Sequence, residues 1–425
     1  MNEISPDNKK KIFSMKRVLM IAYHFPPIQG SSGIHRTVQF AKHLPKFGWE
    51  PLIVSVHPRA YPNTGKDRFG GLPESVIINR AFALDSARHL SIRNHYLSYT
   101  AIPDRWVTWW PHGVMTCLQL IKKYKPSLVW STFPVATAHL IALTVHRLTG
   151  LPWVADFRDP MIQEAQPEPG IIRNVYQWIE KKTIQQASAA VFVSNSTLTH
   201  YARNFHGKSS KYWQLVENGF DEDLFQHSNP VSEPSSCEQK GGLIKIVHSG
   251  ILYSKGRNPL AFFKAIASYL QKGEAPIEVT LRGAGLEIDI EKWIASFGLK
   301  EIVKVQPGIS YSGAIKEMIN ADALLLFQGA EYNKQIPAKA YEYIRAGHPI
   351  LALTDKCGET ASLLKDWDGV YISNINSPED IENALVQLVD HIQTGKKPCR
   401  EPKMVSQLSR KAGALKLSKI FDSLF

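Results

Sequence analysis

The chain has 425 residues, 44% of them apolar and 21% charged, with a formal net charge of +12. That length exceeds one ordinary core and fits two domains of about 200 residues each, and the composition excludes a disordered or fibrous chain. Its four cysteines, Cys117, Cys237, Cys357 and Cys399, are far apart and form no metal-binding or redox pair, which points to a reducing compartment, the cytoplasm.

In chain order, a polar N-terminus with Lys9-Lys10-Lys11 and no secretory h-region precedes Arg17–Tyr23, an apolar run that predicts a buried parallel strand. A Gly/Ser loop, an amphipathic helix from Gly33 to Phe47 and the strand Pro51–Val56 follow, and the order continues through strands at 128–131, 153–156 and 190–193. One doubly wound domain over 1–228 is expected. Residues 229–242, rich in Ser, Pro and Gly, form the best linker. Strands at 244–248, 277–281, 323–327 and 350–353 then predict a second domain over 243–404. Residues 405–425 set Leu408, Leu415, Leu417, Ile420, Phe421, Leu424 and Phe425 among Lys and Arg, a pattern for a terminal amphipathic helix that packs on protein or lies on a membrane. No apolar run reaches the roughly 18 residues that span a bilayer, so the chain is expected to be neither exported nor integral.

Charge is uneven. Residues 1–225 carry 26 Lys+Arg against 16 Asp+Glu, and residues 226–425 carry 24 against 22. The excess in the first half suits anionic lipid headgroups; nucleic acid is not expected as a partner, because the basic residues surround no known module.

Several segments carry chemistry. In Gln335–Ala352, Pro337 suits a first helical position and Gly347 the residue past the helix end. Lys339 then stands in the first turn, where the helix dipole disfavours a cation unless an anion such as a diphosphate is near; a surface salt bridge to Glu342, three residues on, is the alternative. The loop Phe25–Arg36, with Gly30 and Gly33, follows a strand and opens a helix, so its amides can approach an anion, although any tight turn uses glycine and the dinucleotide fingerprint is absent. In His248–Pro259, Ser249 and Gly250 precede two cations, Lys255 and Arg257, suited to phosphate. Asp156-Phe157-Arg158-Asp159-Pro160 ends a strand at the sheet edge where ligands bind, or closes its own turn as an ion pair. Trp106, Trp109 and Trp110 pack a core, stack on sugars or sit at an interface. No His, Cys or carboxylate cluster has metal-ligand spacing, so catalysis without a metal or other cofactor is expected.

Taken together these segments resemble the family 4 glycosyltransferases, retaining enzymes of the GT-B fold, in the subgroup with Asp-Phe-Arg-Asp-Pro and Pro-x-Lys-x-x-Glu-Tyr runs. The matches extend from Arg17 to about Leu417. The resemblance implies two Rossmann-like α/β domains facing across a cleft, with the C-terminal helix returning to the N-terminal, acceptor-side domain and the second domain holding the donor. Glu342 matches the glutamate that bonds the donor ribose, while the family's other glutamate falls on Lys334. Arg36 matches an arginine lining the cleft near the diphosphate or acceptor, and the pair for the leaving diphosphate shifts to Lys255 and Arg257, because Ile251 replaces the usual arginine. Arg282-Gly283-Ala284-Gly285 and Gln306-Pro307-Gly308-Ile309 sit where the nucleobase is held by backbone groups. Arg158-Asp159 occupies a slot that is His-Asp in many relatives, and the tryptophans fall on the acceptor side.

The activity implied is transfer of a sugar from a nucleotide-sugar donor to a hydroxyl of a glycan or lipid-linked acceptor, with retention, in bacterial surface polysaccharide assembly. Its expected setting is the inner face of the plasma membrane, as a cytoplasmic, peripheral protein. A nucleotide-sugar epimerase of the same fold and a catalytically silent nucleotide-binding relative are the alternatives.

Overall fold

A computed structural model describes residues 15–29, 33–65, 72–73, 76–91, 93, 96–163, 167–227, 242–285 and 289–425. Gly30 and all of the expected linker except Gly242 lie outside them. Two open parallel sheets organise the chain. The first comprises β1 Lys16–Ile21, β2 Trp49–Val56, β3 Ile77–Ala81, β4 Leu128–Thr132, β5 Trp153–Arg158, β6 Ala189–Phe192 and β7 Trp213–Leu215, in the order β3-β2-β1-β4-β5-β6-β7. The second comprises β8 Ile244–Ser249, β9 Ile277–Arg282, β10 Val303–Gln306, β11 Ala323–Gln328, β12 Ile350–Thr354 and β13 Val370–Ser373, ordered β10-β9-β8-β11-β12-β13. In each sheet the order reverses beside the first strand, at β1/β4 and at β8/β11. Such switch points open a crevice at the carboxyl ends of the strands, where α/β sheets bind ligands.

The central strands are apolar on both faces because helices cover both. Alternate residues of β11 show this: Ala323, Leu325 and Phe327 enter one core with Phe262, Phe263 and Leu385, and Leu324 and Leu326 enter the other with Tyr341, Ile344 and Met318.

The chain divides into two compact units, 1–190 with 414–425, and 191–413. Within the first, the C-terminal residues pack by Phe421 edge-on against Trp49, ring centroids 5.2 Å apart, and Asp422 pairs with Lys16 at 3.0 Å. Leu417 and Phe421 are fully buried there, while Leu415 and Phe425 of the same segment stay exposed. The single helix expected over 405–425 is instead two, Pro402–Gln407 and Arg410–Asp422. Its break has a cause within the second unit: Leu408 and Ser409 give their backbone to a parallel bridge with Phe220, whose N–H donates to Leu408 O and whose carbonyl accepts from Arg410 N–H at 2.9 Å. Gly219 lets these segments meet, since a Cβ there would stand 2.4 Å from Leu408 O.

Candidate functional site

In the second unit the site residues gather beyond β8, β9, β11 and β12. The helix Ala338–Ala346 starts after Pro337, which is its N-cap and not its first residue, and ends on Gly347 at φ +83°. This places Lys339 in the first turn, and the ammonium turns inward. Any Cβ at Gly250 would lie 2.1 Å from Lys339 Nζ, so the glycine, at φ +138°, makes room for that cation beside the backbone of the loop. Burial, and then the neighbouring Arg257, push the Lys339 ammonium down to about 7, against a smaller pull from Glu342.

Arg257 is also turned in. It donates to Gln328 Oε1 at 3.0 and 3.3 Å and lies against the rings of Tyr253 and Tyr332, and burial lowers its pKa. Lys255, the other cation of that loop, is exposed. The two inward cations are therefore Arg257 and Lys339, not Lys255 and Arg257. Beneath them His248 is fully buried, its ring nitrogens facing Leu325 O at 2.9 Å and Gly250 O at 3.1 Å; burial, then Lys339, hold its pKa well below the usual range.

Glu342 does not pair with Lys339. Its Oε1 accepts from the Tyr311 hydroxyl at 2.5 Å and lies 3.7 Å from Arg410 Nη2, leaving Oε2 with no hydrogen bond among the described residues. Burial, with the Glu342 carboxylate adding to it, pushes the Tyr311 hydroxyl well up, so it stays a donor. Neither Tyr311 nor Arg410 is marked by the sequence.

Around this centre, Ser249 N–H faces the Tyr343 hydroxyl at 3.4 Å and Gly250 N–H donates to Arg282 O at 2.8 Å. The Arg282 side chain is engaged by Glu317 and by Pro307 O, so it braces the loop below Gly308 and Ile309, both exposed. Lys334 is exposed, and its carbonyl accepts from Ser194 Oγ at 2.6 Å.

The first unit gathers a different set beyond β1, β4 and β5. Arg36, on the helix Gly33–His43, grips Asp156 at the end of β5 through two bonds, Nε to Oδ2 at 2.7 Å and Nη2 to Oδ1 at 3.1 Å, and both side chains are buried. Thr132 at the end of β4 reaches the same carboxylate at 3.4 Å. Neither Arg36 nor Asp156 is thereby left for an acceptor. Arg158 takes the left-handed backbone conformation, φ +61°, and donates to Gly33 O at 3.2 Å. A non-glycine residue held there stores on the order of 1–3 kcal/mol, which persists where the surroundings over-determine it, commonly at ligand sites. Burial raises the Asp159 carboxyl, with Arg158 and Arg36 opposing.

The tryptophans separate. Trp109 is fully buried in the core, so an acceptor has no access to it; Trp106 lies on Tyr23 with centroids 4.2 Å apart and donates to Ala60 O; Trp110 is 39% exposed and donates to Thr144. Among the described residues no group of three or more His, Cys, Asp or Glu could hold a metal ion.

No curated protein matches the chain. Solved structures do. Sucrose-phosphate synthase from Thermosynechococcus elongatus is 14% identical over 96% of this chain and 99% of its own, with a TM-score of 0.63. Anabaena HepE in complex with UDP and glucose is 14% identical over 96% and 100%, with a TM-score of 0.63. WaaG, a glycosyltransferase involved in lipopolysaccharide biosynthesis, is 14% identical over 96% and 95%, with a TM-score of 0.54. The fold is thus that of the GT-B glycosyltransferases, and over residues 32–212 the chain matches the glycosyl transferase 4-like domain.

Proposed function

We propose that the protein transfers a glycosyl residue from a nucleotide-sugar donor to an acceptor hydroxyl with retention at the anomeric carbon. One observation carries the reading: Arg257 and Lys339 are turned inward beside the Gly250 loop without a carboxylate at ion-pairing distance among the described residues. Partly buried cations in that state call for an anion, and a leaving nucleoside diphosphate, which gains charge in the transition state, is such an anion. In this reading the two side chains and the Ser249 and Gly250 loop hold the diphosphate, Glu342 Oε2 takes the ribose hydroxyls, and backbone at Gly308 and Ile309 meets the base. Side chains supply the positive charge, and no divalent ion is invoked.

Asp156 is tied to Arg36, and Asp159 is pushed toward its neutral form, so neither is a ready nucleophile. The reading is therefore a front-face reaction in which the departing phosphate helps deprotonate the acceptor hydroxyl. HepE's complex with UDP makes UDP the first ligand to try. Thermal shift against UDP, GDP, ADP, CDP and dTDP is the test, since a ligand at a hundred times its Kd stabilises by about 2.7 kcal/mol. No response to any of them would sink the reading, and conversion of the matching nucleotide sugar into an isomer without acceptor would replace it with an epimerase.

The proposed setting is the inner face of a bacterial membrane, in assembly of a surface glycan on a lipid-linked acceptor. The support is the basic first half and the exposed Trp110, Met115, Lys122 and Lys123 on the helix Trp109–Tyr124. No helix among the described residues is long and apolar enough to cross a membrane. Each basic residue near an anionic surface contributes about 1 kcal/mol, so co-sedimentation with anionic liposomes that weakens with salt is expected, and binding indifferent to lipid charge would refute the attachment.

A further inference from the structure

Gln328 is the last residue of β11, a strand at the switch point of the second sheet, and it is only 1% exposed. Its Oε1 accepts from Arg257 Nη2 at 3.0 Å and from Nε at 3.3 Å, while its amide nitrogen Nε2, buried as well, has no hydrogen-bond partner among the described residues. Turning the amide round gives no relief, because Nε2 would then face two donors. A buried donor left without an acceptor carries its full desolvation cost, and such a group calls for an explanation.

Glutamate has nearly the same shape and would strand no donor. A small turn about its last side-chain bond would set its two oxygens against the two donors of Arg257, as a charge-assisted fork. The first sheet uses that solution, where Asp156 at the end of β5 takes two bonds from Arg36. A carboxylate, however, also neutralises the arginine it holds. An amide oxygen accepts the same bonds without a formal charge, so it fixes the direction of the guanidinium and leaves the positive charge available to a third group. The backbone around Arg257 is held just as closely. Gly329 N–H donates to Gly256 O at 2.6 Å, and a Cβ at Gly329 would stand 2.9 Å from that oxygen, so a glycine ties the strand end to the arginine's loop. The Tyr332 ring covers the guanidinium at 5.2 Å.

We propose that Gln328 is a positioning residue for anion binding, a neutral tether that aims Arg257 at a phosphoryl oxygen without neutralising it. The proposal rests on the reading above for the nature of the anion, a nucleoside diphosphate. It gives Gln328 no contact with that ligand, because Nε2 is closed off from solvent.

The test is calorimetric titration of the full chain with inorganic diphosphate and with UDP, GDP, ADP, CDP and dTDP, beside melting curves. Gln328→Glu should weaken every anion that the parent binds by about tenfold or more, since the new ion pair withdraws the charge, and should raise the melting temperature, since the stranded donor is gone. A residue that only packs would move affinity and stability in the same direction. Gln328→Met keeps the bulk and loses the acceptor; it should weaken binding by about threefold to tenfold, and should change nothing further in an Arg257→Met background, because its effect runs through that arginine. Gln328→Glu with unchanged affinity or lower stability, a Gln328→Met effect that persists in full without Arg257, or a parent that binds none of these anions would each overturn the proposal. The ligand series separates it from the transferase reading. Inorganic diphosphate bound in a Gln328-dependent way, with no nucleoside diphosphate bound more tightly, would keep the tether and remove the transferase, and nucleotide binding indifferent to Gln328→Glu would do the opposite.

Discussion

At the carboxyl ends of the first sheet each cation meets a carboxylate or carbonyl of its own unit: Arg36 holds Asp156, and Arg158 holds Gly33 O beside Asp159. At the ends of the second sheet Arg257 raises the cost of ionising Lys339, and the carboxylate in reach, Glu342, is engaged by Tyr311 and Arg410. A site that neutralises itself suits a neutral ligand, and a site with surplus inward-facing cation suits an anion. The same α/β framework thus presents two chemistries, distinguished by which charges the unit leaves unmatched.

The largest expected effect breaks the first half of this comparison. Arg36→Met or Asp156→Leu alone strands a buried charge and should destabilise by about 3–5 kcal/mol, whereas the double variant should recover most of that loss. Urea unfolding of the three proteins measures it. If the single variants are as stable as the parent, the pair is not the closed unit described above.

The second half responds oppositely. Lys339→Met and Arg257→Met should each weaken nucleoside diphosphate binding by roughly 1.5–3 kcal/mol, about tenfold to a hundredfold, because each removes a charge-assisted bond. Lys339→Met should at the same time raise the melting temperature, since it removes a partly buried charge whose ionisation the fold disfavours. Calorimetric titration beside a melting curve tests both. A loss of stability together with unchanged affinity would make Lys339 structural.

Glu342→Ala is expected to weaken binding by about tenfold and also to lower stability by about 1–3 kcal/mol, because Arg410, 8% exposed with Nη1 already lacking a partner among the described residues, loses its carboxylate. Tyr311→Phe sharpens the point: it should move stability and leave most of the affinity if Oε2 is the ligand-facing atom.

The smallest effect is in pH. Lys339 sits near 7 in the folded chain, far below its unfolded value of about 10.4, so the unfolded state binds the extra proton between the two and this residue's contribution to stability rises with pH across that window. Nucleoside diphosphate binding prefers the protonated form, so affinity should fall several-fold from pH 6 to pH 8.5. Lys339→Met should leave only the ligand's own phosphate titration, and a parent whose affinity changes no more than that variant's would contradict the assignment.

Nine strands are legible in the sequence because they lie inside the sheets and are written either as continuous apolar runs, such as Val18–Ile21 and Ala323–Phe327, or as a clean alternation, as in Ile277–Leu281. The four that are not, β3, β7, β10 and β13, are the edges of the two sheets. Their sequences, IINRA, WQL, VKVQ and VYIS, are short and partly exposed, so they lack both an apolar run and a clean alternation. The helix carrying Lys339 and Glu342 is legible within one residue, since Pro and Gly punctuate its ends by local sterics.

Chain-local physics records the apolar strands, the helix ends, two α/β domains, and a lysine placed against a helix dipole. Tertiary structure decided which charges are spent. Asp156 meets Arg36 across 120 residues, Glu342 is met by Tyr311 across 31, and Lys255 turns out while Lys339 turns in. Hydrophobic burial leaves a periodic trace along the chain because every turn or strand repeats it. A charge pair depends on a single contact between distant segments, and its partner is known only when the sheets have brought the strand ends together.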